Sequence, residues 1–311
     1  MTGLELSRKY FDAFGRQAIV DKFPEISDKI AVGLCGEGSE CLGYDDGVSS
    51  DHDFEPGFCV FIPDDTDEHT IFRLERAYAK LPQEFEGYSR SHLAPVGGRR
   101  HGVIKIGDFF EKFTGSRDGE LSLGAWAVIP SHYLLSATNG EVFYDGSGEF
   151  TKIRERLEKM PEDARLKRLA GNLLLSKQAG QYNFLRCIEH GEYGAAQLAA
   201  IEFSRHIISA VFLLNNKYEP FYKWTFRALR ELPVLPELSD ILEFLISTES
   251  NKKTAENKYG IIEDVCSMVI TELQNAGITD AICGDLEKHA YSVNDKIKDN
   301  DLRTQNVLMS V

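Results

Sequence analysis

The sequence predicts an α/β (α+β) domain with a small mixed sheet at residues 1–148, followed by an all-α helical bundle at residues 149–311. Short apolar runs that end at glycines alternate with helical patterns in the first half, as in a mixed domain. From about residue 149, long stretches carry only helical periodicity, with Pro161, Gly191 and Pro220 between them. A length of 311 residues also favours two domains.

The predicted elements of the first half follow from these patterns. Apolar positions between residues 4 and 27 recur at helical spacing and predict one or two amphipathic helices. The run 125–129 is apolar, but its type is left open by Pro130 and the helical pattern after it. Strands are predicted at 30–35, 58–62, 102–106 and, after the turn signal Asn139-Gly140, at 141–144; helices are predicted at 67–81 and around Phe109–Phe113.

The composition excludes several classes of protein. A formal net charge of −14, with no cluster of Lys and Arg, argues against a nucleic-acid partner. No apolar run reaches the length of a membrane span, so no membrane partner is expected. The six cysteines form no CxxC pair, and several lie in apolar runs. We therefore expect a reduced, cytoplasmic protein.

The stretch 33–62 carries the candidate chemistry. Asp51 and Asp53 are two residues apart before a predicted strand, so their carboxylates project to the same side. Two neighbouring carboxylates repel each other unless a cation or proton lies between them, and Mg²⁺ is a natural occupant. An isolated Asp-x-Asp is usually a solvated turn, but this one follows a glycine-rich turn by about a dozen residues.

That turn contains Gly36, Gly38 and Ser39 after the first predicted strand. Its glycines let the backbone approach a ligand closely, and Ser39 is expected to cap a following helix whose N–H groups face an anion. A phosphate-binding turn beside a carboxylate pair is suited to phosphoryl or nucleotidyl transfer.

The stretch GEGSECLGYDDGVSSDHDFEPGF resembles the signature of the DNA polymerase beta-type nucleotidyltransferase superfamily. The resemblance implies that Gly38 and Ser39 hold a nucleoside triphosphate and that Asp51 and Asp53 bind Mg²⁺, with two ions expected. The stretches QAGQYNFLR and NNKYEPFYKW resemble the helical domain of kanamycin nucleotidyltransferase-type proteins. Over most of its length the chain resembles an uncharacterised bacterial family described only as a nucleotidyltransferase-like domain of unknown function.

The chain departs from the superfamily pattern at the third carboxylate, which active members carry on a later strand as a metal ligand or base. The predicted strand 102–106 has no acid. Asp108, just beyond it, is one candidate, although its position equally suits the cap of the next helix. Glu55, on the same face as Asp51 and Asp53, is the other candidate.

Several further residues are candidates for the site or for a structural role. His52 is expected on the opposite side of the strand from the aspartates. Arg99, Arg100 and His101 either contact phosphate or form a solvated loop. In the helical domain, Gln178, Gln181, Tyr182 and Arg186 share helix faces and either line a cleft or pack between helices. Lys223 is the expected cation toward phosphate.

These observations predict an Mg²⁺-dependent nucleotidyltransferase. It would move a nucleoside monophosphate, AMP from ATP in the first instance, to a hydroxyl group of a small molecule or protein. A cationic, hydroxylated acceptor suits the acidic composition. The alternative is a nucleotide-binding module with weak or no catalysis, acting as a sensor or partner protein.

Overall fold

The computed structural model describes residues 1–46, 54–90 and 101–311. The chain forms two compact units. The first unit contains residues 1–120 and 133–159, and the second contains residues 121–132 and 160–311. The division of the chain into domains at residue 148 stays a prediction; the helix at residues 149–158 belongs to the first of the two compact units.

The first unit contains a four-stranded mixed sheet, which confirms the predicted sheet. The strand order is β5-β2-β1-β6, and only the β2–β5 pair is parallel. A separate hairpin, β3–β4, has strands of two residues each and was not predicted. The strands are β1 (Ala31–Leu34), β2 (Cys59–Ile62), β3 (Glu84–Phe85), β4 (Tyr88–Ser89), β5 (Gly102–Lys105) and β6 (Glu141–Asp145).

Helices cover both faces of the sheet. On one face, Phe58 packs against Phe11 of the π-helical segment Phe11–Asp21 and against Tyr78 of α3. On the other face, Phe61 stacks on Phe150 with 4.1 Å between ring centroids. The helices of this unit are α1 (Gly3–Tyr10), α2 (Ser39–Leu42), α3 (Glu68–Ala79), α4 (Ile106–Thr114), α6 (Ser131–Thr138, whose first two residues belong to the second unit) and α7 (Glu149–Glu158).

The predicted elements of the first unit are found close to their expected positions. The apolar runs 30–35 and 58–62 became β1 and β2, which are buried along their whole length, as short apolar runs predict. The run 102–106 became β5, an edge strand that is only partly buried beyond Gly102. The helix predicted at 67–81 is α3, which begins after Asp67, whose carboxylate accepts from the Thr70 N–H. The run 125–129, left open above, forms α5 (Leu123–Val128), which belongs to the second unit.

In the described residues, the second unit contains helices and no strands. At its centre, α8 (Glu162–Ser176) packs against α10 (Tyr193–Leu214) and α14 (Leu286–Asp295). By length and composition alone α10 would pass for a membrane span, but half of its most apolar stretch is buried inside the protein. The remaining segments are the π-helical Lys177–Asn183, α9 (Phe184–Glu189), α11 (Tyr222–Arg230), α12 (Leu238–Ser247), α13 (Ala255–Asn275), α15 (Asn300–Thr304) and the 3₁₀ turn Val307–Ser310.

Candidate functional site

One end of the sheet collects the segments that the sequence analysis singled out. Gly33, near the end of β1, pairs with Cys59 at the start of β2, and Cys59 pairs with Gly102 at the start of β5. Leu34 pairs with Glu141 at the start of β6. The glycine turn after β1 and the chain entering β2 and β5 therefore lie at the same end of the sheet, which we call the glycine-turn end.

The glycine turn is held by a side chain from a distant part of the sequence. The Gly36 N–H donates to Asn139 Oδ1 at 2.9 Å, and Asn139 Nδ2 donates to the Gly36 carbonyl at 2.7 Å. Arg154 Nη2 in turn donates to the carbonyls of Thr138, at 2.6 Å, and Asn139, at 3.0 Å. The amide of Asn139 thus satisfies both backbone groups of a buried residue, and Arg154 fixes the segment that carries it.

The turn itself needs glycine. Gly36 and Gly38 have φ values of 109° and 128°, which L-residues rarely adopt. Gly38 is the residue before α2, so the helix begins at Ser39. The expectation that Ser39 caps this helix is wrong, because the break in helical geometry falls one residue earlier, at Gly38. Ser39 is partly buried, and its carbonyl accepts from the Tyr44 N–H at 2.8 Å.

Cys35, the residue between β1 and the turn, is a buried free cysteine. Burial raises the pKa of its thiol to about 11, although the nearby Arg154 guanidinium acts in the opposite direction. At neutral pH the group is therefore a protonated thiol.

The two candidates for the third acid lie at different ends of the sheet. Asp108 lies in the first turn of α4, after the end of β5, where its carboxylate is 2.7 Å from Arg117 Nη2. Because β5 runs parallel to β2, the end of β5 lies about 10 Å from the glycine-turn end, at ~3.3 Å per residue. Asp108 also does not cap α4, since the N-cap residue is Lys105.

Glu55 lies at the glycine-turn end, three residues before Phe58. Its Oε1 is 3.1 Å from Nδ1 of His101, the residue before β5. Gly57 makes this approach possible, because a Cβ there would lie 2.6 Å from His101 Nδ1. Both side chains of the pair are largely buried. His101, read above as a phosphate contact or part of a solvated loop, is therefore an ion-pair or hydrogen-bond partner of Glu55.

The metal-binding pair predicted from the sequence, Asp51 and Asp53, lies outside the described residues, as do His52, Arg99 and Arg100. Within residues 1–46, 54–90 and 101–311, no group of three or more His, Cys, Asp or Glu side chains is arranged to hold a metal ion.

The candidates in the second unit are exposed side chains. Gln178 and Arg186 lie on the surface, and the Arg186 guanidinium is 5.0 Å from the Tyr182 ring. Lys223 is exposed on α11, with Nζ 5.0 Å from the Trp224 ring. Gln181 has a structural role instead: its Nε2 donates to Glu263 Oε2 at 3.0 Å, and its Oε1 accepts from the Leu286 N–H at 3.1 Å.

Sequence reasoning missed Asn139 and Arg154. Asn139-Gly140 was recognised as a turn signal, but a turn signal does not predict which groups the asparagine side chain will hydrogen-bond. Its partner, Gly36, is 103 residues away in the sequence.

Comparisons with known proteins add two findings. A family model described as a domain of unknown function, DUF4037, matches residues 126–225. A crystal structure of a nucleotidyltransferase-like protein from Exiguobacterium sibiricum is similar with a TM-score of 0.37 and 12% identity, over 87% of this chain and 77% of that chain. No curated protein matches. The chemistry proposed below therefore rests on the residues of this chain.

Proposed function

We infer that the chain is a nucleotidyltransferase that moves a nucleoside monophosphate, AMP from ATP in the first instance, to a hydroxyl group of a small molecule or protein. The observation that carries this proposal is the glycine turn held by Asn139 at the sheet end where β2 begins. The Asp-x-Asp pair precedes Cys59, the first residue of β2, by eight and six residues.

Each element of this end has a role in the proposal. The backbone at Gly38 and Ser39 approaches the triphosphate, as glycine-rich turns do. Asp51 and Asp53 would hold Mg²⁺, with two ions expected. When bound, the metal would neutralise charge on the phosphates. Glu55 is the better placed third acid, since it lies at the glycine-turn end and Asp108 lies at the other.

Two further parts of the prediction belong to the same proposal. Lys223, Gln178 and Arg186 are proposed nucleotide contacts, and all three side chains are exposed. The proposed location is the cytoplasm, consistent with six free cysteines.

The proposal is tested by calorimetric titration with ATP, GTP, CTP and UTP, with and without Mg²⁺. We expect Mg²⁺-dependent binding of at least one nucleotide by the wild type. In Asp51→Asn/Asp53→Asn the affinity should fall at least tenfold, because the metal loses both carboxylates. The matched control is Asp21→Asn/Asp65→Asn, which removes two exposed carboxylates of the same unit and should leave the affinity unchanged.

Failure of the folded wild type to bind any of the four nucleotides would overturn the proposal. Equal losses in the two double variants would also contradict it, since binding would then depend on overall charge and not on Asp51 and Asp53.

A second candidate is a nucleotide-binding protein without transferase activity. It is favoured by the position of Asp108, which is paired with Arg117 at the opposite end of the sheet. Release of pyrophosphate distinguishes the two. A transferase releases it when supplied with nucleotide, Mg²⁺ and a hydroxylated acceptor, whereas the binding protein takes up the nucleotide and releases none.

A further inference from the structure

The second unit encloses a cavity of about 430 Å³ that the sequence analysis did not anticipate. Side chains from α8 and α10 and from the segment 219–226 line it, together with Ser131 and His132. Its volume lies in the range of about 300–1,000 Å³ that is typical of small-molecule sites. All of its polar lining residues except Ser310 fall in the part of the chain that matches the domain of unknown function.

Arg168 and Glu219 line this cavity with opposite charges and do not pair with each other, whereas Arg205, which also lines it, pairs with Glu202. Nη1 of Arg168 donates to the Ile129 carbonyl at 2.7 Å, and its buried Nε has no hydrogen-bond partner in the part of the chain that the structure describes. Glu219 Oε2 accepts from the Ser209 hydroxyl at 2.5 Å. No ion pair within 4.0 Å joins the two groups, although they are close enough to influence each other's ionisation.

Burial disfavours both charges in the absence of a ligand. It raises the pKa of the Glu219 carboxyl, against the hydrogen bond from Ser209 and the attraction of Arg168. It also lowers the pKa of Arg168, against the attraction of Glu219. Burial of a charge without an opposite charge beside it is unfavourable, and a ligand with complementary charges reduces that cost.

The backbone around these charges is fixed by hydrogen bonds. The Glu219 N–H donates to Ser131 Oγ at 2.8 Å, so the acid is held from both its main chain and its side chain. Asn172 Nδ2 donates to the Arg168 carbonyl at 2.9 Å. This hydrogen bond orients Asn172 Oδ1 toward His206. His206 Nδ1, 2.9 Å away, is therefore the donor to that oxygen. Such pre-organised polar groups give a site specificity.

Two exposed aromatic rings complete the cavity lining. Phe221 and Tyr222 are 49% and 78% exposed, and their ring centroids are 4.5 Å apart. His132 approaches the Phe221 ring at 5.7 Å. Exposed aromatic side chains beside these charged groups provide a surface for a planar apolar group.

We propose that this cavity binds a small zwitterion with a planar ring, whose ammonium group pairs with Glu219, whose carboxylate pairs with Arg168 and whose ring lies against Phe221 and Tyr222. The site goes beyond the proposed nucleotide transfer, because none of the residues that line it is among the proposed nucleotide or metal contacts.

Three probes of the same skeleton test this assignment by calorimetry, without nucleotide or Mg²⁺. They are L-phenylalanine, 2-phenylethylamine, which lacks the carboxylate, and 3-phenylpropionate, which lacks the ammonium group. We expect L-phenylalanine to bind at least tenfold more tightly than either analogue, since each charge pairs with a different buried group.

Variants connect each charge to its residue. Glu219→Gln should weaken L-phenylalanine and 2-phenylethylamine at least fivefold and leave 3-phenylpropionate unchanged. Arg168→Gln should weaken L-phenylalanine and 3-phenylpropionate and leave the amine unchanged. Tyr222→Ala removes an exposed ring and should weaken all three probes without loss of thermal stability. Tyr291→Ala, which removes a 47% exposed ring outside the cavity, is its matched control.

The assignment is wrong if the folded wild type binds none of the probes at millimolar concentration. It is also wrong if Tyr222→Ala and Tyr291→Ala bind L-phenylalanine alike and Glu219→Gln does not discriminate between the amine and the acid. Nucleotide binding by the same protein would be unaffected by these outcomes, so failure here is separable from failure of the proposed transfer.

Discussion

At the scale of single residues, the second unit buries two lysines with neutral oxygens as their partners. Lys167 Nζ donates to Asn294 Oδ1 at 3.0 Å and to the Gln305 carbonyl at 2.7 Å. Lys258 Nζ donates to Ser250 Oγ at 2.7 Å and to the Thr248 carbonyl at 2.8 Å. Neither side chain is exposed, and neither has an acidic partner in the described residues. Lys167 therefore joins α8 to a segment 138 residues away, and Lys258 joins α13 to the chain just before it, each at the cost of desolvating an amine.

Lys258 gives stability a particular dependence on pH. Burial lowers its pKa to about 8, compared with about 10.4 in an unfolded chain. Between these values the unfolded state binds more protons, so the free energy of unfolding rises with pH from about 8 to 10. We expect this rise to reach about 3 kcal/mol, at about 1.4 kcal/mol per pKa unit, and to be absent in Lys258→Met.

Urea denaturation of both proteins across this pH range measures the difference. Lys252→Met removes an exposed lysine nearby and should follow the wild-type curve. Parallel curves for the wild type and Lys258→Met would show that Lys258 ionises normally in the folded protein.

At the scale of elements, the sequence indicates which segments form strands but not their directions. Apolar runs locate β1 and β2, which are buried, and β5, which is partly buried at the edge of the sheet. That β5 runs parallel to β2 is a tertiary property, which the helical pattern of α3 between the two strands does not determine. This direction places Asp108 far from the glycine turn. The hairpin β3–β4 was missed because two-residue strands are too short for periodicity.

The sequence also does not show which side chains of a segment line a cavity. Lys223 was chosen from KYEPFYKW for its charge, whereas Glu219 of this segment lines the cavity. Nothing in the local pattern separates the two, because the segment's orientation is set by Ser131, 88 residues earlier in the chain. Gly38 was predicted correctly as part of a turn, because positive φ is a property of the residue itself.

Asn139 offers a test of the glycine turn as an element. Asn139→Ala removes both partners of the buried Gly36 backbone groups. We expect the free energy of unfolding to fall by about 2–6 kcal/mol, since each of the two unsatisfied buried groups costs ~1–3 kcal/mol. If the turn holds the triphosphate, nucleotide affinity should fall as well.

Thermal and urea unfolding measure the first effect and calorimetry the second. Asn257→Ala removes an exposed asparagine of α13 and serves as the control. A loss of stability no larger than that of the control would mean that the Asn139 hydrogen bonds contribute little to the turn.

At the scale of the whole molecule, the segment 121–132 belongs to the second unit although it lies between two parts of the first. Trp126, only 4% exposed, lies on α5, which packs against α8. Arg168 of α8 donates to the Ile129 carbonyl, which follows α5. The apolar run that the sequence left unassigned is thus a helix of the helical unit.

This assignment predicts which part of the protein is destabilised when Trp126 is replaced by alanine. Trp126→Ala should destabilise the second unit by about 3–5 kcal/mol, since it empties a large volume in a core. Hydrogen exchange should then accelerate at the amides of α8 and remain slow in β1 and β2. Tyr133→Ala, in the first unit, is the control and should leave α8 unchanged. Faster exchange in β1 and β2 after Trp126→Ala would place Trp126 in the first unit instead.

The path of the chain between the units has a consequence for limited proteolysis. The backbone passes from one unit to the other three times, near residues 120, 132 and 159, so each unit is assembled from two separate pieces of chain. A single nick near residue 120 would leave the fragments joined through the pairing of β1 with β6. Nicked protein should therefore migrate as one particle under native conditions and as two bands after denaturation.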